Sequence, residues 1–506
     1  MLKPIKHNFF QSEIVEPILL NINSLSKKNA FCINGNFYSY KQLGQCISKV
    51  RWALQNLPAE NVHIGLVTND DLETYASIFA IWLQGKAYIP LHPDQPIIRC
   101  EEIISQIDIT TILDSSQACR FLKSEVINTS ALIYSHDFLD NNASAVENAL
   151  AYVLFTSGST GSPKGVQINR KNVGAFMNSF WHTGIVIDEN DKCLQCFDLT
   201  FDVSVQCLLA PLVKGACVYT IPHDQIKYSY AYGLMEDEHL TFMVVAPSML
   251  RYLKPYFEEI EMPYIKHCIV TGEASPASLI DLWKKCIPKA DIYNFYGPTE
   301  TTIYCTYYKV ENEIKTLNGM LSIGKPLKNA GMIIVDENCN AIPNGEKGEL
   351  CIYGDQVSPG YWNNSVKNAE VFLLKEVNGE NQQIYRTGDL CYCDKDGDLL
   401  LYGRLDSQTK IQGYRVELEE IEYHAREYLN GNNAIAVTFI NNIGNTELAL
   451  FVEGSQENIS DIINYLKTKM PFYMIPTKIL FENEFQLNAN GKVDRKKLKA
   501  KINTTL

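Results

Sequence analysis

Leu154-Phe155-Thr156-Ser157-Gly158-Ser159-Thr160-Gly161-Ser162-Pro163-Lys164-Gly165 decides how this chain is read. Ala151 to Phe155 is an apolar run that predicts a strand, and Val166 to Ile168 resumes an extended apolar pattern. Between them hydroxyls and glycines alternate. Glycine lets backbone N–H groups turn toward a ligand with no Cβ in the way. The Ser and Thr hydroxyls add donors, and Lys164 adds a point charge. Such a loop suits a polyanion of the nucleoside triphosphate kind. It is not the Walker pattern, in which four residues separate the glycines and the Lys follows the second. Here two residues separate Gly158 from Gly161, and Lys164 precedes a glycine. The plain alternative is a solvated Gly/Ser turn; the pairing of Thr-Ser-Gly-Ser-Thr-Gly with Pro-Lys-Gly behind an apolar strand counts against it.

Working outward, 506 residues exceed one typical domain and allow large buried cores. A net charge of −13 gives no support to a nucleic-acid partner. The fifteen cysteines are scattered, no apolar leader follows Met1, and no apolar stretch is long enough to span a membrane. A reducing, cytoplasmic setting with free thiols is the expectation. Cys193-Leu194-Gln195-Cys196 has redox or zinc spacing, but no second pair follows, so both read as buried thiols. The histidines show no metal-ligand cluster.

Before residue 150, helix-like stretches (Tyr40 to Leu57, Leu72 to Gln84) alternate with strand-like ones (Val62 to Val67, Ala87 to Leu91, Thr110 to Leu113), which predicts an α/β architecture with largely parallel sheets. Asn169 is placed to cap a helix running to about Trp181. In Phe197-Asp198-Leu199-Thr200-Phe201-Asp202-Val203-Ser204, a carboxylate inside an apolar-aromatic run is costly to bury without a cation. Asp202 reads as gripping a ligand amine, with a helix N-cap as its plain alternative and Asp198 as a competing candidate. Strands at Thr241 to Ala246, Cys268 to Thr271 and Ile292 to Phe295 lead to Asn294-Phe295-Tyr296-Gly297-Pro298-Thr299-Glu300-Thr301-Thr302. Ligands of open α/β sheets gather at such carboxyl ends. This one offers an aromatic face, a hydroxyl and a carboxylate of the kind Mg²⁺ prefers. Asp394-Lys395-Asp396-Gly397-Asp398 is a hairpin signature. From Gln408 onward, a strand-loop-strand to Val416, helices at Glu417 to Tyr428 and Ile459 to Met470, and strands at Ala434 to Phe439 and Glu447 to Val452 predict a small α+β domain.

Taken in order, these motifs span essentially the whole chain and resemble those of the adenylate-forming enzymes: acyl-CoA synthetases, luciferases and nonribosomal-peptide adenylation domains. The run from Gly413 through Tyr414, Arg415, Val416 and Glu417 to Glu422 looks most like free-standing adenylation domains and D-alanine:carrier-protein ligases. The resemblance implies a large N-terminal α/β domain of mixed sheets flanked by helices over 1–403, a hinge over 404–406 at Asp406, and a small mobile C-terminal α+β domain over 407–506.

It also implies ATP and Mg²⁺. Thr156, Ser157, Gly158, Ser159, Thr160, Gly161 and Lys164 would cradle phosphates; Asn294, Tyr296 and Gly297 would hold adenine; Thr299 would meet the α-phosphate and Glu300 the metal. Asp389 would take the ribose hydroxyls, with Arg404 on ribose or phosphate. Lys492, in Asn488-Ala489-Asn490-Gly491-Lys492-Val493-Asp494-Arg495, would be catalytic beside Lys164 and Thr299. Gly413 would border the thiol tunnel. The acid pocket would be lined by Phe201, Asp202, Val203, Gln206, Val245, Ile269, Thr271, Phe295, Ile303 and Tyr304, with Asp202 on the substrate amine.

The implied reaction forms an acyl-adenylate and passes the acyl group to a phosphopantetheine thiol. No Gly-Gly-x-Ser site follows the small domain, so a separate carrier protein is expected as partner. The pocket holds no second charge, which argues against Lys, Arg, Asp or Glu as substrate. Phe295 and Tyr304 either fill the pocket for an alanine-sized amino acid or sandwich a flat ring. The walls Val203, Val245 and Ile269 lean the expectation toward an anthranilate or hydroxyanthranilate type of acid. The rivals are an acyl- or aryl-CoA ligase, against which Asp202 counts, and a catalytically dead nucleotide-binding scaffold, against which the intact Lys164, Glu300, Asp389 and Lys492 count.

Overall fold

The computed structural model describes residues 8–118, 120–140, 146–158, 161–454, 458–487 and 493–504. Among them, one sheet of seven strands runs in the order Gly360–Tyr361, Lys164–Asn169, Leu150–Thr156, Ala87–Leu91, His63–Val67, Thr111–Asp114, Glu125–Asn128. Its central pairings are parallel, and Leu150–Thr156 meets Lys164–Asn169 antiparallel with Thr156 opposite Lys164. A second sheet, of nine strands, is parallel through its middle, where Lys192–Gln195, Phe242–Val245, His267–Val270 and Asp291–Tyr296 lie side by side. A third is antiparallel and includes Gly348–Gly354, Glu380–Cys393 and Leu399–Arg404. The α/β expectation holds.

The helix Val203–Val213 explains why Asp202 is buried. Every residue of this helix is buried, within a core that draws side chains from both parallel sheets. Burying one Leu, Ile or Val side chain contributes about 1.5–3 kcal/mol, so the helix is fixed and carries Asp202 inward at its N-terminal end. Asn169 caps Arg170–Phe180 as expected, through a reciprocal pair with Asn172.

After Leu399–Arg404 come the hairpin Thr409–Ile411 and Tyr414–Val416, the helix Leu418–Tyr428, and a sheet of Ala434–Ile440, Thr446–Glu453 and Lys478–Glu482 backed by Ile459–Lys469 and Arg495–Thr504. This segment has its own apolar clusters, including Ile421, Leu450 and Leu466 in one and Phe439, Phe451 and Ile502 in another. The cysteines among the described residues are free thiols, with Cys193 and Cys196 both buried. No helix of the described residues is long and apolar enough to cross a membrane.

Candidate active site

The strand Leu150–Thr156 delivers Thr156, Ser157 and Gly158 to the junction between the large and small parts of the fold. The Thr156 hydroxyl is buried without a partner, as suits a donor waiting for a ligand. Gly158 admits no side chain: a Cβ there would stand 2.1 Å from the Ser162 carbonyl oxygen. Gly161 has φ of +85°, and a Cβ on it would strike the Tyr423 ring at 2.4 Å. Ser159 and Thr160, assigned to the same loop, lie outside the described residues, as does Lys492.

The small domain is docked on this loop. Gly158 N–H donates to Glu420 Oε2 at 2.8 Å, and the other oxygen of Glu420 accepts from Arg99 at 2.6 Å, with both side chains buried. The Ser157 hydroxyl donates to Arg415 O and accepts from Glu417 N–H, each at 3.1 Å. Lys164 Nζ lies 3.4 Å from Glu417 Oε1, and burial, with Arg415 nearby, holds its ammonium below the usual lysine range.

The turn after Asp291–Tyr296 places Thr299 and Glu300. Glu300 is fully buried; it accepts from Tyr361 Oη at 2.6 Å and from Arg415 at 2.9 and 2.7 Å. Burial would raise its carboxyl, but the Arg415 guanidinium and the Tyr361 hydroxyl more than reverse this and bring it to about 2. A buried carboxylate is a donor suited to Mg²⁺. In this docked arrangement both its oxygens face Arg415, so a metal here requires Arg415 to withdraw. Thr302 and Ile303 follow with φ of +59° and +72°, a conformation costly for β-branched residues. Gln356 holds the turn: its backbone carbonyl accepts from the Thr302 hydroxyl at 2.6 Å, and its side-chain amide donates to Tyr304 O at 2.6 Å.

Of the adenine and ribose assignments, Tyr296 Oη donates to Asp389, and Arg404 bonds Asp389 at 2.8 Å and Asp406 at 2.7 and 2.9 Å. Gly297 packs where a Cβ would sit 2.5 Å from Ile303 O. The Asn294 side chain is buried, its Oδ1 accepting from the Ser275 hydroxyl at 3.0 Å and its Nδ2 donating to Ser322 O at 2.8 Å.

Asp202 is the buried carboxylate among the residues expected to line the acid pocket. Its side chain makes no capping bond, and Oδ2 is buried with no partner. Burial raises its carboxyl to about 6, even with the Thr299 hydroxyl beside it. Gln206 Nε2 and the Tyr304 hydroxyl are also buried without partners. Val203, Val245, Ile269, Thr271, Phe295 and Ile303 are buried, and Phe201 is half-buried against Tyr414. The ring-sandwich expectation fails on geometry. The Phe295 and Tyr304 centroids are 4.9 Å apart with planes at 52°, whereas rings flanking a third would stand roughly 7 Å apart, twice a carbon contact distance.

Asp198, the competing candidate, serves elsewhere: it accepts from Lys227 at 3.0 Å and from Tyr414 Oη, and these partners hold it far below the usual range against its burial. The expectation of no histidine cluster needs correction, because His92 and His223 pack with ring centroids 5.3 Å apart beside Asp198. Residues so distant in sequence leave no spacing signal. The cluster is poorly suited to a cation: Asp94 N–H donates to His92 Nδ1 at 3.1 Å, which leaves the ring proton on Nε2, and Lys227 already neutralises Asp198.

Sequence reasoning missed Lys410. Its side chain is reached by solvent, yet surrounding protein lowers its pKa, with the charges of Asp389, Arg415, Asp202 and Arg404 acting on it. A cleft of about 540 Å³ runs between Gly413 and Tyr414 on one side and Phe201, Ala246, Met249 and Lys227 on the other. Gln412 and Gly413, with φ of +50° and +85°, shape its wall.

Residues 21–362 match the family model described as AMP-binding enzyme, and this chain belongs to that family. It is 32% identical over 362 residues to the D-alanine–D-alanyl carrier protein ligase of Bacillus licheniformis, covering 69% of this chain and 71% of that one. It is also 31% identical over 442 residues to tyrocidine synthase 2 of Brevibacillus parabrevis, covering 86% of this chain but spanning only 12% of that relative's length. The Vibrio cholerae adenylation domain AlmE, solved in complex with glycyl-adenosine-5′-phosphate, superposes with a TM-score of 0.84 at 22% identity, covering 100% of this chain and 99% of that one.

Proposed function

We propose that this protein uses ATP to activate a small, uncharged amino acid and passes the aminoacyl group to the phosphopantetheine thiol of a carrier protein. The observation that carries the reading is Asp202, a buried carboxylate whose Oδ2 has no partner and which lies beside Thr299 at the site. It is the natural seat for a substrate ammonium. Phe295 packs directly on Tyr304, which leaves no room for a ring between them and favours a small side chain. The carrier ligase and the glycyl-adenylate complex among its relatives agree in kind.

In the first step a substrate carboxylate oxygen attacks the α-phosphorus and the bond to pyrophosphate breaks. The substrate is the nucleophile, so the protein supplies position and charge neutralisation. In our reading Thr156 and Lys164 hold phosphates, Thr299 meets the α-phosphate, Glu300 carries Mg²⁺ once Arg415 is away, and Lys492 bridges carboxylate and phosphate. In the second step the thiol sulfur attacks the acyl carbon and AMP leaves. We assign Asp406 as the hinge between 1–403 and 407–506, and the cleft beside Gly413 as the path of the thiol.

The test is ATP–pyrophosphate exchange across glycine, both alanines, serine, proline and anthranilate, with acetate and propionate as acids lacking the amine. A single small amino acid should respond. A response to anthranilate alone would refute the small-pocket reading, and equal response to acids lacking the amine would remove the role of Asp202.

A further inference from the structure

Beside Asp202, the structure leaves Gln206 Nε2 and the Tyr304 hydroxyl with no partner among the described residues. Gln206 is fully buried; its Oε1 accepts from the Cys207 thiol at 3.7 Å, and only its Nε2 is idle. Tyr304 is as deeply enclosed. A buried donor left unpaired is costly, and folded chains seldom keep one without a reason.

The fold brings these groups to Asp202. Gln206 follows Asp202 by four residues at the start of the helix Val203–Val213, so the two share a face about 6 Å apart along the axis. Helical side chains lean toward the N-terminus, which carries the Gln206 amide back toward Asp202. Tyr304 follows the turn at Thr302 and Ile303, with its ring on Phe295. Burial, then the neighbouring Cys207 and Asp202, push its hydroxyl well above the usual phenol range. Thr271 offers less, because its hydroxyl already donates to Phe295 O at 2.9 Å.

We infer that Gln206 and Tyr304 are specificity-determining residues that read a hydroxyl on the substrate side chain, so that the acid activated is a β-hydroxy amino acid of the serine or threonine kind. One hydroxyl answers both groups: its oxygen accepts from Gln206 Nε2, and its O–H donates to Tyr304 Oη. That hydroxyl stands three bonds from the amine assigned to Asp202. The inference rests on the small-amino-acid reading above and narrows it, since glycine, alanine and proline would leave both groups unpaired.

The experiment measures kcat/KM for ATP–pyrophosphate exchange in the wild-type chain, Gln206→Leu and Tyr304→Phe. The acids are serine against 2-aminobutyrate and threonine against valine, pairs in which a methyl replaces the hydroxyl, with glycine, alanine and proline beside them. A site built on a substrate hydroxyl rejects the analogue lacking it by up to about 10⁴–10⁵-fold. Expected is that serine or threonine leads in wild type and exceeds its methyl counterpart by at least roughly 10²-fold. Each substitution should cut that ratio by about ten-fold or more, and Gln206→Leu should raise the rate with the methyl acid, which misfolding cannot do. If Gln206→Leu misfolds, Tyr304→Phe and the wild-type ratio still decide. A wild-type preference for glycine, alanine, proline or a methyl acid overturns the inference, gives the two groups to buried water and leaves the amino-acid reading standing. A hydroxyl preference that both variants retain overturns the assignment to Gln206 and Tyr304. Exchange with none of these acids overturns both readings.

Discussion

Arg415 Nη1 lies 2.9 and 2.7 Å from the two carboxylate oxygens of Glu300, joining the small domain to a fully buried carboxylate of the large one. Removing one partner of a buried pair costs about 3–5 kcal/mol. Arg415→Met should therefore undock the small domain, lowering thiol transfer by roughly a hundred-fold or more while adenylation stays within a few-fold. Separate assays of the two half-reactions check this, and equal loss in both would count against it. The depressed Glu300 pKa gives the pH sign. Its contribution to docking is complete above the ordinary 4.5 and is lost as pH falls toward about 2. Docking seen by small-angle scattering should not change between about pH 5 and 8 through this pair.

Asp202 behaves in the opposite sense. Its carboxyl is raised from 3.8 to about 6 by burial, so ionised Asp202 destabilises the ligand-free fold above that pH and costs nothing below 3.8. Asp202→Asn should stabilise the free protein by roughly 2–3 kcal/mol at pH 8, with the gain vanishing near pH 4, while amino-acid-dependent exchange is abolished. Denaturant melts at the two pH values test the first part. A destabilised variant at pH 8 would show that the carboxylate is already paired.

Gly413 carries φ of +85°, though a Cβ there would meet Ala246 at an ordinary 3.6 Å. The obstacle to Gly413→Ala is thus backbone conformation, worth about 1–2 kcal/mol. Thiol transfer should fall roughly ten-fold with adenylation unchanged. An unaffected transfer rate would mean that the hairpin tolerates another conformation.

Lys410 and Lys492 should divide the reaction. Lys410 stands near Asp389 and Asp202 in the docked arrangement, where it can neutralise the departing phosphate. Lys410→Ala should slow transfer from supplied acyl-adenylate by about 10²-fold. Lys492→Ala should cripple adenylation and spare that transfer. Single-turnover assays of both variants decide, and a swapped pattern would reverse the assignment.

Asp406 is held by both nitrogens of the Arg404 fork. Asp406→Pro should fix one domain orientation, leaving adenylation intact and carrier loading absent. Normal loading by the variant would move the hinge elsewhere.

Much of this was legible in the sequence because it is local. The Gly158 and Gly161 loop, the strand before it, the Asn169 cap and the Asp-Gly hairpin each depend on neighbours a few residues away, where propensity and backbone sterics act directly. Asp202 was legible for the same reason: a carboxylate in an apolar run is conspicuous wherever it folds. What the tertiary structure decided is which charges meet. In the sequence Glu417 and Glu420 lie only at the start of a helical stretch, and nothing there links them to Arg99 or Lys164. Docking of one domain on the other buries them together, so that Glu420 meets Arg99 and the Gly158 N–H while Glu417 faces Lys164. The same holds for Phe295 and Tyr304, whose ring contact depends on the twisted turn at Thr302 and Ile303. Periodicity and motif spacing report contacts within an element; long-range pairings are fixed only when burial brings distant charges into one low-dielectric volume, where each must find an opposite.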